Sequence, residues 1–167
     1  MPFSLMRGWS RQGRTADFMD VFAVLKQSSH PVCTITSDHS VDDAIKLMTA
    51  QRAGALIVTT ADDPTGIFTA KDVLRCYQHT GDLALSEIKL NSVVTHAFIA
   101  AKPTDNLTAV INLMIKSDIY HLPVVENHKI IGVLALKDLV EFQIDSLTAE
   151  IDQLQDYIDD LHEAAQD

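Results

Sequence analysis

The chain contains one unit twice, and this internal repeat constrains the fold more than any other feature. Residues 30–75 align with residues 96–141 at a constant offset of 66 positions, without a gap. Nine aligned pairs are identical, where ordinary composition gives about three by chance. They are His30/His96, Ile45/Ile111, Leu47/Leu113, Met48/Met114, Leu56/Leu122, Val58/Val124, Gly66/Gly132, Lys71/Lys137 and Asp72/Asp138. Such copies are expected to pack on each other about a pseudo-two-fold axis, with matching positions lining the cleft between them.

Each copy predicts the order strand, helix, strand, strand, helix, which makes the fold class α+β. In the first copy the predicted elements are a strand at 32–36, a helix from Ser40 with Asp43 in a capping-box pattern, a strand at 55–59, a turn at 61–66 and a helix from about 70 to 78. In the second copy they fall at 98–101, 107–116, 121–125 and 130–134, with a turn at 126–129.

Helices are predicted on both sides of the repeats. Residues 15–27 form an amphipathic pattern with Phe18, Val21, Phe22 and Leu25 on one face. No Gly or Pro follows Gly132, so the last helix is expected to run from about 136 to the mid-160s. We divide the chain into a leader and helix (1–29), repeat 1 (30–80), repeat 2 (81–142) and an acidic C-terminal helix (143–167).

The C-terminal helix carries a heptad pattern. Its apolar positions alternate in spacing between four and three residues: Val140, Ile144, Leu147, Ile151, Leu154, Ile158 and Leu161. Isoleucine at each a position with leucine at most d positions favours a parallel two-stranded coiled coil, and most acids fall outside this seam. The alternative is that the helix packs its apolar stripe on its own domain.

Composition narrows the class of protein. The 167 residues are 47% hydrophobic, and no apolar stretch is long enough to span a membrane. The net charge is −10, and residues 139–167 hold nine acids and no Lys or Arg, so nucleic-acid binding is not expected. The basic start, with Arg7, Arg11, Arg14, Phe3 and Trp9, could touch an anionic membrane or serve as a transit peptide. We expect a mobile leader, no membrane partner and, with two cysteines, a reducing cytoplasmic location.

The segments GIFTAKDVLR (66–75) and HLPVVENHKIIGVLALKDLV (121–140) resemble a tandem pair of CBS domains, often called a Bateman module. The resemblance covers about residues 28–142. It implies a regulatory, non-catalytic protein that binds adenine nucleotides or related adenosyl ligands between its repeats and often dimerises.

The first copy supplies the predicted ligand site. Thr69 is expected to end a strand and open a helix, which turns backbone N–H groups and the positive helix end toward the cleft. Asp72 can accept hydrogen bonds from two ribose hydroxyls. Lys71 and Arg75 supply positive charge for phosphates.

The resemblance further implies that Val32, Ala55 and Ile67 form an apolar slot for the purine. A simpler alternative exists for the polar pair, because Thr69-x-x-Asp72 is also a plain capping box that is useful without any ligand. The two interpretations are compatible.

The second copy departs from the pattern. Ala135 lacks the threonine hydroxyl, Asp138 keeps the carboxylate, and Glu141 replaces the arginine and would repel a phosphate. His121 takes the place of a small alanine and could stack on a purine or contact a phosphate when protonated. We therefore expect one good site, with the second cleft empty, weak or fitted to fewer phosphates.

These observations predict a small regulatory module that binds AMP, ADP or ATP, needs no metal and forms a homodimer, with a possible protein target on the C-terminal helix. The alternative is a ligand-free scaffold that recruits a basic partner through that helix. No nucleophile with a base is present, so no enzyme is expected. His30 and His96 could meet across the pseudo-two-fold axis, but we expect hydrogen-bonded, non-metal roles for them.

Overall fold

Helix α2 (Val41–Gln51) begins where the sequence predicts, because Ser40 and Asp43 form the expected capping box. In the computed structural model, which describes residues 19–27, 31–79, 81, 83–96 and 98–165, the Asp43 amide donates to Ser40 Oγ at 3.1 Å. The Ser40 amide donates to Asp43 Oδ2 at 3.0 Å. Hydrogen bonds from Ser40 hold the pKa of Asp43 below its usual value. The first turn of the helix is therefore satisfied by its own side chains.

The first repeat forms a three-stranded sheet of β1 (Thr34–Thr36), β2 (Ala55–Thr60) and β3 (Asp63–Thr69), followed by α3 (Ala70–His79). Strand β1 is parallel to β2, and β2 is antiparallel to β3. The predicted turn at 61–66 is too long. Only Ala61 and Asp62 turn, with φ of 50° and 68°, the two positive values of a tight hairpin turn. A register shift between Val58 and Thr59 accommodates Pro64 within β3.

The second repeat follows the same plan with α4 (Leu107–Lys116), β4 (His121–Glu126) and β5 (Lys129–Ala135). Its hairpin turns at Asn127 and His128, and its register shift lies at Val124/Val125. The predicted strand at 98–101 is reduced to one parallel bridge between Ala101 and Val124. This segment is richer in alanine than its counterpart and leads into Pro103, and both residue types weaken a strand.

The two repeats meet in an apolar cluster made of equivalent positions from both. Ala55, Ile57 and Ile67 are buried there, with Val32, Phe98, Ile130 and Val133 packed against them. Val32 and Phe98 are one offset pair, and Ile67 and Val133 are another. The predicted α+β fold of two repeats about a pseudo-two-fold axis is confirmed.

Each repeat is completed by the segment that precedes the other one. Helix α1 (Val21–Gln27) inserts Val21 and Val24 into the core of the second repeat. Leu90 and Val94, around a 3₁₀ turn at Leu90–Ser92, are buried in the core of the first repeat, although we assigned 81–142 to the second. The predicted helix at 15–27 starts later, its Phe22 is 45% exposed, and its Phe18 lies outside the described residues.

Helix α5 (Leu136–Ala164) has 29 residues, as the absence of Gly and Pro predicts. Leu139 is fully buried in the second repeat, but the stripe from Ile144 onward is 40–56% exposed. The stripe consists of Ile144, Leu147, Ile151, Leu154, Ile158 and Leu161. The alternative in which this stripe packs on its own domain is therefore wrong for the described residues. None of the described helices is both long and apolar enough to cross a membrane.

Candidate functional site

A cleft of about 560 Å³ opens between the two repeats, and we call it the first cleft. One side is formed by the end of β3 and the start of α3. The other side comes from the second repeat and the segment before it. The first side contributes Ile67, Thr69, Ala70, Lys71, Asp72 and Arg75, and the second contributes Thr95, Phe98, Ile99, Ser117, Asp118, Ile119, Tyr120, His121 and Pro123.

Asp72 is the most buried charged residue of this cleft, with an exposure of 3%. Its Oδ2 accepts from the Thr69 amide at 2.7 Å and from the Thr69 hydroxyl at 3.0 Å. Its Oδ1 pairs with Arg75 and accepts from the Thr95 hydroxyl at 3.4 Å. The contacts of Oδ2 are those of a helix cap, so the capping interpretation of Thr69-x-x-Asp72 is present in the structure. Oδ1 pairs with Arg75, whose side chain is 57% exposed.

Lys71 crosses the mouth of the first cleft. Its Nζ forms an ion pair with the Asp118 carboxylate, donates to the Asp118 carbonyl at 2.7 Å and lies 4.8 Å from the centroid of the Tyr120 ring. Hydrogen bonds from Lys71 and then Tyr120 lower the pKa of Asp118. Both cations of the cleft therefore already face a carboxylate, Lys71 that of Asp118 and Arg75 that of Asp72.

A second cleft of about 200 Å³ lies at the positions related to the first by the 66-residue offset. Asp138 and Lys137 occupy the places of the motif aspartate and lysine. Its lining is Pro31, Cys33, Gln51, Arg52, Ala53, Gly54, Ala55, His121, Val133, Ala135, Lys137 and Asp138. Among the described residues, Asp138 has no hydrogen-bond partner of the kind that holds Asp72. The pseudo-two-fold axis thus generates two related but unequal clefts.

His121 lines both clefts and fills part of the second. A Cβ atom added to Gly54 would lie 2.1 Å from His121 Nε2, so only glycine leaves room for the imidazole ring. Burial lowers the pKa of His121, and the nearby Asp138 carboxylate offsets this in part. Burial between the repeats therefore disfavours the protonated form of the ring.

Acidification should destabilise the fold through His121. Its pKa is lower in the folded protein than the 6.5 of an ordinary histidine, so the unfolded chain binds the extra proton as the pH falls through that value. This contribution to the free energy of unfolding is present above about pH 6.5 and is lost below it. We expect the loss of stability between about pH 7.5 and 5.5 to be smaller in His121→Gln than in the wild type, measured by urea unfolding. Equal losses in both proteins would contradict this role.

The structure separates residues that the sequence placed in one site. Thr69, Lys71, Asp72, Arg75 and Ile67 do line the first cleft. Ala55 lies instead in the second cleft with Asp138, and Val32 packs in the cluster between the repeats. The proposed purine slot of Val32, Ala55 and Ile67 is therefore not one wall of one cleft, because the partner wall of each cleft comes from the other repeat.

Several lining residues of the first cleft were missed from the sequence. They are Thr95, Phe98, Ile99, Asp118, Ile119 and Tyr120. The offset could have found Phe98, because Phe98 is the equivalent of Val32. Within the described residues no group of three or more His, Cys, Asp or Glu side chains could hold a metal. His30 lies outside the described residues, so the roles expected for His30 and His96 stay a prediction.

Two copies of one repeat, packed about a pseudo-two-fold axis with a cleft on each side, define a tandem-repeat module. The CBS-domain family model matches residues 21–79 and 90–145. The chain belongs to the CBS-domain family, as the motif at 66–75 indicated.

Relatives support this assignment. A putative signal-transduction protein with CBS domains from Burkholderia ambifaria is 30% identical, with a TM-score of 0.70 over 76% of this chain and 95% of that one. The mitochondrial CBS domain-containing protein CBSX3 of Arabidopsis thaliana is 30% identical over 74% of this chain and 62% of its own length. The chain thus spans less than two-thirds of that relative. These two relatives are named as CBS-domain or signal-transduction proteins. Because one of them is mitochondrial, the cytoplasmic location of this chain stays a prediction.

Two more distant structures share the fold. The CBS domain pair of protein MJ0100, 20% identical with a TM-score of 0.64 over 75% of this chain and 95% of that one, was solved with 5′-methylthioadenosine and S-adenosyl-L-methionine. A CBS-CP12 protein from bloom-forming cyanobacteria, 21% identical with a TM-score of 0.63 over 74% of this chain and 67% of that one, is hexameric. Some members of this fold therefore bind adenosine compounds, and some form oligomers.

Proposed function

We propose that this chain is a regulatory module that binds an adenine nucleotide (AMP, ADP or ATP) or a related adenosyl compound in its first cleft. The observation that carries the proposal is the cleft of about 560 Å³ in which Thr69 and the buried Asp72 face apolar and aromatic side chains of the other repeat. An apolar slot with a few convergent polar groups is the usual form of a small-molecule site. The adenosine compounds bound by the MJ0100 pair support the ligand class.

The lining divides into surfaces that suit the two halves of a nucleoside. Phe98, Ile99 and Ile119 supply apolar surface for a purine. Asp72 Oδ1 and the Thr95 hydroxyl supply polar atoms for a ribose. An ionised carboxylate offers about four acceptor positions, and the Arg75 side chain is 57% exposed, so it can leave Oδ1 and turn outward. Helix capping by Oδ2 and ribose binding by Oδ1 then proceed together.

The ligand signal is proposed to reach α5 through Tyr120. The Tyr120 ring lines the first cleft, and its carbonyl accepts from the Leu136 amide at 2.9 Å. Leu136 is the first residue of α5. A ligand that bridges the repeats shifts their relative position by as much as its affinities for the two arrangements differ. That shift acts at the start of the helix.

The exposed stripe of α5 is proposed to bind a second copy of this chain in a parallel coiled coil. The occupant is indicated by isoleucine at a positions 144, 151 and 158 and by leucine at d positions 147, 154 and 161. Most acids of the helix lie at outer positions, so they do not face each other across the seam. A separate protein target for the assembled helices remains compatible with their acidic outer surface.

Thermal unfolding with AMP, ADP, ATP and S-adenosylmethionine tests the ligand site. A ligand at 100 times its Kd adds about 2.7 kcal/mol to the free energy of unfolding, which raises the midpoint by about 5–10 °C for a chain of this size. We expect such a rise in the wild type. In Asp72→Asn the ligand-induced rise should be lost, because the amide presents an N–H group where the ribose hydroxyls need an acceptor.

The matched control is Asp138→Asn, which makes the same change in the second cleft and should leave the rise intact. No rise with any compound at millimolar concentration would contradict the nucleotide proposal and favour the ligand-free scaffold. An equal rise in wild type and Asp72→Asn would place the ligand elsewhere.

A further inference from the structure

The charges of the first cleft cancel. Lys71 forms its ion pair with Asp118 and Arg75 forms one with Asp72, so two cations and two carboxylates line the same space. A phosphate entering this cleft gains a cation only by displacing a carboxylate that stays nearby. Each further phosphate adds repulsion from Asp118, whose side chain is 70% exposed toward the mouth.

The second cleft differs from the first at the position equivalent to Asp118. Arg52 is the 66-residue equivalent of Asp118, and both residues adopt a left-handed backbone, with φ of 51° and 54°. Among the described residues no carboxylate pairs with Arg52. The same backbone site therefore presents a positive charge in one cleft and a negative charge in the other.

We propose that Asp118 is a specificity-determining residue that makes the first cleft select adenosyl ligands by charge. It favours those with an uncharged or positively charged group at the ribose 5′ position and disfavours the triphosphate. The Asp118 carboxylate and the Tyr120 ring, which already hold the Lys71 ammonium group, form a place for a cationic substituent. This inference rests on the proposed function and narrows its ligand class.

Isothermal titration of the full chain with adenosine, AMP and ATP tests the proposal. In the wild type we expect no gain in affinity from AMP to ATP. Asp118→Asn removes the charge and keeps a residue that tolerates the left-handed backbone. It should tighten ATP by about threefold to tenfold and leave adenosine within about twofold. Asp118→Arg introduces the residue that the other repeat carries in this conformation, and should tighten ATP further.

Asp156→Asn, which removes one negative charge from α5 outside the cleft, is the matched control and should leave the ratio of ATP to adenosine affinity unchanged. A ratio that is the same in wild type, Asp118→Asn and Asp118→Arg, with binding retained, would overturn the role of Asp118 alone. Failure of all three compounds to bind wild type and variants would overturn the proposed adenosyl site and this inference with it.

Discussion

The double substitution Ile151→Asp with Ile158→Asp should convert the proposed coiled-coil dimer into a monomer. These a positions lie at the centre of the proposed seam and are 55% and 50% exposed in the single chain, so the substitutions cost the folded monomer little. In the dimer they would bury four carboxylates in an apolar interface, which is strongly unfavourable without partners. Sedimentation equilibrium measures the change in mass directly.

The control for this experiment places the same two charges outside the seam. Ser146→Asp and Gln153→Asp fall at c positions of the heptads that begin at Ile144 and Ile151, and we expect this variant to keep the wild-type mass. A dimer that survives in the Ile151/Ile158 variant would mean that the copies associate through the repeats. A wild-type monomer at micromolar concentration would contradict the coiled coil outright.

Phe68→Ala should cause the largest loss of stability within one chain. Phe68 is fully buried in the core of the first repeat, in the strand that leads to the candidate site. Removing a buried phenylalanine side chain costs about 3–5 kcal/mol, and each kcal/mol lowers the midpoint by about 2–4 °C in a domain of this size. We therefore expect a midpoint about 10 °C lower by circular dichroism.

Leu74→Ala is the matched control, because Leu74 lies on the following helix α3 and is 68% exposed. Its effect should stay within about 0.5 kcal/mol. A small effect of Phe68→Ala would contradict the close packing of this core, and a large effect of Leu74→Ala would indicate that α3 is covered by another chain.

The elements of the fold could be predicted from the sequence where local chemistry decides them. Ser40 and Asp43 define the start of α2, and the heptad spacing with no Gly or Pro defines α5. It could not be predicted in this way that the segment preceding each repeat packs into the core of the other repeat. Val24 and Leu90 are one offset pair, and each is buried in the core of the repeat that its own segment does not belong to. That choice depends on tertiary packing, which leaves no local pattern.

The residues of the candidate site also fall into two groups, those that could be predicted from the sequence and those that could not. Thr69 and Asp72 were found because their spacing is fixed by one helical turn. Asp118 and Tyr120 were missed because they reach the cleft from the other repeat, at a left-handed residue and at the residue before strand β4. No rule of helix or strand geometry sets how far along the chain these two residues lie from Asp72. The repeat offset was the one available guide, and it leads from Ala55 to His121.

The length of α5 would amplify a small movement at the first cleft into a larger one at the far end of the helix. At 1.5 Å per residue its 29 residues extend about 43 Å, and only the first turns are fixed in the second repeat. In the proposed signal transfer, such a rod would act as a lever with its pivot at Leu136. A tilt of about 5° at the pivot moves the far end by about 4 Å, close to the 5.4 Å pitch of a helical turn. A tilt that hardly moves the residues around the ligand could thus shift a partner bound at the far end of α5.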